Sequence, residues 1–444
     1  MWSPQPDNGA VVQSYYAKKE EHVKKSLVAL IAALGACFLA VQGAEAKTLE
    51  DILKEKGVIT EADYKEVTKV KPIDYKLGKG FTFTSADEKF QLSLGGRLQA
   101  RYTFTDNDQE ASATSKDISK WQIQRMKVWL RGHAYTKDLT YLLQVDMVNS
   151  SNNLFIDHAY FNYKLIDEAQ LLVGQTKVPF GRQWLASSGA QQFVDRSILS
   201  SNFRPGYNIG TMLHGKIAEG LVNYNVAGYG SKGQGSPNVG NDMSFAARVT
   251  VDPFGAMSYD EADLDTSAKP QLSVGSNYYY DRVTAGTLSA TVTGIAESNR
   301  LNNIGLLSQI SLANNFQAGE KVDVNLYGAD VAFKWMGVFA TAEYLLGQVE
   351  GDITGSLARS HGYLVQGGYC ILPKKLEVAM RYAYVDPNRD KANDLQSEIG
   401  GAVSYYFNKH NLKVQGDVRS LHTQRTSGIP TDAMEYRLQA QVIF

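Results

Sequence analysis

The chain has 444 residues, with 45 Lys and Arg against 46 Asp and Glu and a formal net charge of -1, so there is no global basic field to gather nucleic acid and no acidic tail. Hydrophobic residues are 43% and charged residues 20%, with 39 Gly against 11 Pro, which excludes a disordered chain and a collagen-like fibre. A mean hydropathy of -0.28 argues against a bundle of membrane helices, each needing roughly 20 consecutive apolar residues, and the two cysteines, Cys37 and Cys370, make neither a disulfide framework nor a paired zinc-ligand spacing.

The long apolar run spans residues 26–41. Lys24-Lys25 precedes it and Gln42-Gly43-Ala44-Glu45-Ala46 follows, the basic, apolar and small-residue layout of a secretory signal cut after Ala46. The run is short for a membrane anchor. Leu34-Gly35-Ala36-Cys37 resembles a lipoprotein box, but apolar residues continue past the cysteine to Val41. Residues 1–22 are polar and mixed in charge, unlike the front of a signal, so translation is expected to begin at Val23, with 1–22 an upstream extension and 23–46 the signal peptide.

Residues 47–80 read as a periplasmic helical hairpin and linker. Thr48 can cap a helix whose first turn carries Glu50 and Asp51 and whose end is Gly57, and a second helix is expected from Thr60, with Glu61 and Asp63 in its first turn. Such a piece is too small for a catalytic domain and suits a plug or a partner-binding arm.

From Phe90 the period becomes two. Leu92, Leu94, Leu98, Ala100, Tyr102 and Phe104 fall on one side, and Gln91, Ser93, Arg97, Gln99, Arg101 and Thr103 on the other. Sixteen such segments follow, near 90–104, 120–135, 138–148, 154–165, 169–178, 207–217, 220–230, 242–252, 270–281, 322–335, 337–349, 361–371, 375–386, 396–408, 411–422 and 433–444. Their length suits a tilted bilayer crossing, and their even number suits an all-β, closed antiparallel transmembrane barrel over residues 81–444, with an open aqueous lumen. Tight turns at 136–138, 218–220 and 372–374 alternate with long connections at 105–119, 179–206, 253–269 and 282–321, so the long loops are expected together at the extracellular rim or folded into the pore. The last strand ends on Phe444 itself, which resembles the signal that bacterial outer-membrane barrels present to their assembly machinery.

Val173-Gly174-Gln175-Thr176-Lys177-Val178-Pro179-Phe180-Gly181 resembles the Gly-Gln-x-Lys-x-Pro-Phe-Gly signature of the phosphate-selective porin O/P family. Phe193-Val194-Asp195-Arg196-Ser197 is similar to that family's acidic-Arg-Ser element in the third loop, and residues 206–210 to its glycine-containing return. Asp157-His158-Ala159-Tyr160 departs from the family's Asp-Ala-Tyr by one inserted histidine. The resemblance implies an outer-membrane channel, a trimer of sixteen-stranded barrels and phosphate as a solute.

The residues themselves point to a locally basic wall. Arg97 and Arg101, then Arg125, Lys127, Arg131 and His133, fall on the polar faces of the first two strands, which carry no acid on those faces, and Lys177, Arg196 and Arg204 flank the third loop. Guanidinium forks suit phosphate and carboxylate oxygens, and a ladder of weak sites conducts where one tight site would trap. The bland alternative is structural pairing: Asp146, Asp330, Glu343, Glu377, Glu398 and Asp417 also read as inward, with Lys334, Arg381, Arg419 and Arg437 to neutralise them. A passive channel for small anions such as phosphate therefore stands against a weakly selective general porin, and, in other classes, against a barrel enzyme or a structural or receptor barrel. Gly228-Tyr229-Gly230-Ser231-Lys232-Gly233 fits a dinucleotide fingerprint but is followed by Gly235-Ser236-Pro237 rather than a helix. No catalytic constellation, metal-ligand spacing or cofactor motif is found.

Overall fold

The computed structural model describes residues 49–61, 73–108, 117–148, 155–230, 233–234, 241–289, 292–295, 304–307, 316–317, 319–424 and 430–444. The expected signal, the upstream extension and most of the second N-terminal helix lie outside these residues. The chain divides into two units, residues 1–69 and 70–444. In the first, the expected helix is present as α1 (Leu49–Glu55).

The second unit begins with a short hairpin, β1 (Ile73–Lys76) and β2 (Gly80–Thr84), and continues as β3 (Gln91–Asp108), β4 (Ile118–Ala134), β5 (Thr136–Asp146), β6 (Phe155–Ile166), β7 (Ala169–Lys177), β8 (Tyr207–Ile217), β9 (Val222–Tyr229), β10 (Ser244–Val251), β11 (Gln271–Ser289), β12 (Val292–Ile295), β13 (Lys321–Trp335), β14 (Val338–Gly351), β15 (Leu357–Leu372), β16 (Leu376–Asp386), β17 (Gln396–Asn408), β18 (Leu412–Thr423) and β19 (Thr431–Ile443). Each wall strand pairs antiparallel with the next, β11 pairs β13, and β19 pairs β3 from Asp432↔Asp108 to Ile443↔Arg97. The result is a closed sixteen-stranded antiparallel barrel, and all sixteen segments expected from the alternation are wall strands. Closure satisfies every edge, which is the condition for a sheet to cross lipid.

Alternation explains the wall locally. Along β14, Val338, Ala340, Ala342, Tyr344 and Leu346 face outward and are partly or fully exposed, while Phe339, Thr341, Glu343 and Leu345 face inward and are buried. The seam is closed by the chain end: Gly96 and Phe444 exchange backbone hydrogen bonds of 2.8 and 3.0 Å. The β1–β2 hairpin, whose first strand lies in the stretch read as a linker and whose second starts where the barrel is expected to begin, extends the wall below this seam, with Phe81 opposite Leu94 and Phe83 opposite Leu92. Its strands are too short for period-two counting to detect.

Two expectations are corrected. The long connection 253–269 does not share a rim with the other long loops. β10 is the eighth wall strand, and even-numbered wall strands return to the rim where β3 begins, so this loop emerges among the tight turns at Tyr135, Met336-Gly337 and Lys409. At this loop strand parity, not connection length, fixes the rim. Nor is the lumen open throughout. Leu199 and Phe203, with Ile304, Leu306 and Leu307, pack against inward Val322, Val324, Leu326, Leu345, Val349 and Leu364, so one sector of the interior is a hydrophobic core.

Candidate permeation pathway and its basic cluster

The third long loop, residues 178–206, turns into the barrel, and its entry is set by backbone chemistry. Val178 and Phe180 are fully buried, and Gly181 adopts φ 75°, a left-handed conformation that a Cβ disfavours. The chain then forms α2 (Arg182–Leu185). The Glu343 carboxylate, from β14, accepts the Arg182 N–H at 3.0 Å and the Gln183 N–H, satisfying donors that a helix start leaves open. A second helix, α3 (Ile198–Phe203), is capped by the Ser197 hydroxyl, and Glu398 accepts the Ile198 N–H at 2.8 Å.

Around this loop the structure gathers seven of the eight cations singled out in the sequence. Arg101 donates to Asp195 at 3.0 Å and to the Val194 carbonyl at 3.0 Å, and Arg125 reaches the other oxygen of Asp195 at 3.0 Å. Arg97 donates to the hydroxyls of Ser187 (3.1 Å) and Ser188 (2.7 Å), with its Nε–H buried and unpartnered among the described residues. Lys127 pairs with Asp157 and lies 3.5 Å from Asp146. Lys177 donates to the carbonyls of Trp184, Leu185 and Ala186 at 2.8, 3.3 and 3.2 Å, and Arg196 to those of Gln183 and Ala186 at 3.1 and 2.7 Å. The Trp184 ring has Lys177 and Arg196 at 4.9 Å and Arg204 at 5.0 Å from its centroid, and meets Tyr207 edge-on at 5.4 Å. Such contacts favour a cation over the π-face. Within this cluster, seven cations face three carboxylates, Asp146, Asp157 and Asp195.

Arg131 stands apart. It is exposed, with its guanidinium 5.9 Å from the Trp129 ring, while His133 bonds the Glu88 carbonyl at 2.8 Å. Elsewhere the wall charges form close pairs: across the lumen Arg248 with Asp330 (2.7 and 2.9 Å), then Arg381 with Glu398 (2.9 Å), and, on β18 and β19 beside β3, Arg437 with Asp417 (2.7 Å) and Arg419 with Glu435 (2.7 Å). The neutralising role read for Arg381, Arg419 and Arg437 therefore matches their placement, whereas Lys334 donates to the Ser258 hydroxyl at 3.3 Å instead of to a carboxylate.

Sequence reasoning missed Trp184, Tyr207 and the clamp made by Asp195. Asp195 was visible only as part of a loop motif, and nothing in strand alternation says which wall residues a folded-in loop will meet. Burial alone would raise its carboxyl pKa, but Arg125, Arg101 and Arg437 outweigh this and hold it well below the usual value. Burial, then Arg125 and Arg204, lower Arg196 to about 10, which leaves it charged at neutral pH. Among the described residues no group of three or more His, Cys, Asp or Glu could hold a metal ion.

Residues 92–444 match the family described as phosphate-selective porin O and P, a stretch that covers well over half of the chain. The chain belongs to this porin family. Porin O of Pseudomonas aeruginosa is 23% identical over 357 residues, 76% of this porin and 76% of that protein. The fold of this porin is similar to that of an anion-selective porin from Comamonas acidovorans, with a TM-score of 0.54, 10% identity, and coverage of 79% of this chain and 99% of that one. It is also similar to the trimer form of OmpT, an outer-membrane protein of Vibrio cholerae, with a TM-score of 0.51, 9% identity, and coverage of 80% and 99%. The porin is thus an outer-membrane barrel channel. Its departure from the family's Asp-Ala-Tyr has a structural form. The β5–β6 register steps from Val145↔Ile156 to Gln144↔His158, leaving Asp157 as a bulge from which it reaches Lys127.

Proposed function

We propose that this porin is a passive, non-enzymatic diffusion channel for small anions, with phosphate as a favoured solute and a homotrimer as its assembly. The observation that carries the reading is the excess of seven cations over three carboxylates around the third loop, while Arg248, Arg381, Arg419 and Arg437 elsewhere on the wall each sit in a close ion pair. Arg97, Arg101, Arg125, Lys127, Arg131, Lys177, Arg196 and Arg204 are proposed to form the anion path. Their roles divide by how their donors are used. Lys177 and Arg196 direct hydrogen bonds to loop carbonyls, so they act on a passing anion through charge. Arg131 is exposed, and Arg204 makes its side-chain contact through the Trp184 ring, which leaves their forks to meet phosphate or carboxylate oxygens directly. Family membership and the likeness to an anion-selective porin support this reading. Export by the signal at residues 23–46, a start at Val23 and recognition of Phe444 by the assembly machinery belong to the same proposal.

Planar-bilayer recording tests it. In a salt gradient the reversal potential should take the anion-selective sign, and added phosphate should reduce chloride current by occupying the same sites. A cation-selective sign overturns the reading, and unchanged chloride current overturns the preference for phosphate.

A further inference from the structure

We infer that the β10–β11 loop, residues 252–270, is a strut that positions the third loop from the opposite rim, with Tyr259 and Glu261 as its positioning residues. The inference rests on the proposed role of the third loop in holding the anion path.

The loop arrives among the tight turns yet folds inward, and its sequence explains why. It carries Asp260, Glu261, Asp263 and Asp265, and the rim it enters presents Lys334, Lys409 and Lys413. Lys409 pairs with Asp265, and Lys334 donates to the Ser258 hydroxyl at 3.3 Å. Two apolar anchors add to this: Met257 packs with Ala332 and Phe339, and Ala262 and Leu264 pack with Cys370 and Tyr406. The backbone is held hard. Ala262 has φ 76° and Thr266 φ 54°, left-handed values that a Cβ, and above all a β-branched side chain, resists unless the surroundings impose them.

At its tip the loop grips both arms of the third loop. The Tyr259 hydroxyl accepts from Arg248 Nε at 3.0 Å, and its ring lies 4.9 Å from the Arg182 guanidinium, which begins α2. Glu261 binds through three groups. Its N–H donates to the Ala190 carbonyl at 2.8 Å, its carboxylate accepts the Gln192 N–H at 2.9 Å and Gln366 Nε2 at 2.8 Å, and its carbonyl accepts from His410 Nε2 at 2.9 Å. Residues 190–192 lead directly into Asp195, which clamps Arg101 and Arg125, while the carbonyls of α2 hold Lys177 and Arg196. The strut therefore fixes the segments on both sides of the cation cluster without contributing a cation itself.

The test uses the full chain folded in detergent and inserted in planar bilayers, with heat-modifiable migration as the check that the barrel is intact. Glu261→Ala and Tyr259→Ala should raise single-channel conductance by roughly twofold and move the reversal potential toward zero, although every cation of the path remains. Glu261→Gln keeps an acceptor oxygen and should restore most of the wild-type selectivity. If an alanine variant does not fold, Glu261→Gln and Tyr259→Phe each weaken one contact and should shift both readouts in the same direction by less. Wild-type conductance and selectivity in the folded variants overturn the strut. A wild-type channel that is not anion-selective overturns the proposed function instead, and the strut is then judged on conductance alone.

Discussion

Asp195 occupies two guanidinium forks of the proposed anion path, its two oxygens taken by Arg101 and Arg125. Removing its charge should release both guanidiniums. Asp195→Asn is expected to strengthen anion selectivity and deepen phosphate block of chloride current; a weaker preference in bilayer recordings would place the residue among the purely structural pairs. Its folded pKa lies below the ordinary 3.8, so the stabilisation it supplies is fully present above that value and is lost only as pH falls through the lower folded value. The Asp195 clamp should therefore add no pH dependence to selectivity between about neutral pH and about pH 4.5. Arg204→Gln is expected to reduce anion preference while leaving barrel stability in thermal melts unchanged, since the guanidinium makes a ring contact rather than an ion pair. Arg97, Arg101, Arg125 and Lys127 were legible as inward cations because a strand fixes which side a residue faces. Their partners were not, because Asp195 comes from a loop whose path depends on Glu343 and Asn277 across the lumen.

At the scale of elements, period two located every wall strand because a lipid-facing side and a wet side must differ. It could not place the 252–270 loop, whose rim follows from counting strands, nor foresee apolar inward residues such as Val322 and Val324, which face the folded-in loops instead of water. The Pro-Phe-Gly entry to the third loop was legible as a motif, and its physical content is the conformation at Gly181. A Cβ there would meet Glu343 Oε2 at 3.6 Å, an ordinary contact, so the cost of Gly181→Ala is conformational: φ 75° with ψ 123° lies outside the left-handed helical well, a strain on the order of 1–3 kcal/mol that should appear as a lower unfolding midpoint in detergent. His410, in the turn between β17 and β18, offers a pH test of the strut's base. Burial, then Lys413, depress its pKa well below 6.5. A folded value below the unfolded one means that stability is complete above about 6.5 and falls as pH drops toward the folded value. The unfolding midpoint of the wild type should therefore decline more steeply on acidification than that of His410→Gln, which does not titrate; parallel curves would rule the coupling out.

For the whole molecule, a mean hydropathy below zero and an aromatic set of 25 Tyr, 17 Phe and 5 Trp describe one object, a wall wet inside and apolar outside. Tyr102 with Trp121, Tyr278 with Tyr327, and Tyr363 with Tyr382 and Tyr384 form outward aromatic contacts of the kind that girdle the bilayer interfaces. That wall exists only if its seam closes, and the seam depends on the absence of side chains. A Cβ on Gly96 would lie 2.6 Å from Cζ of the Phe444 ring, and one on Gly95 would lie 2.6 Å from the Trp129 indole nitrogen. Gly96→Val should therefore expel the terminal ring, weaken the paired Gly96 and Phe444 backbone bonds and lower the yield of heat-modifiable barrel. Folding into detergent without assembly machinery separates this steric effect from recognition of the terminal residue. There, Phe444→Ala alone should fold nearly as the wild type, and combining it with Gly96→Val should recover part of the lost yield. If Gly96→Val folds with wild-type yield under those conditions, the tight seam is not what closes the barrel.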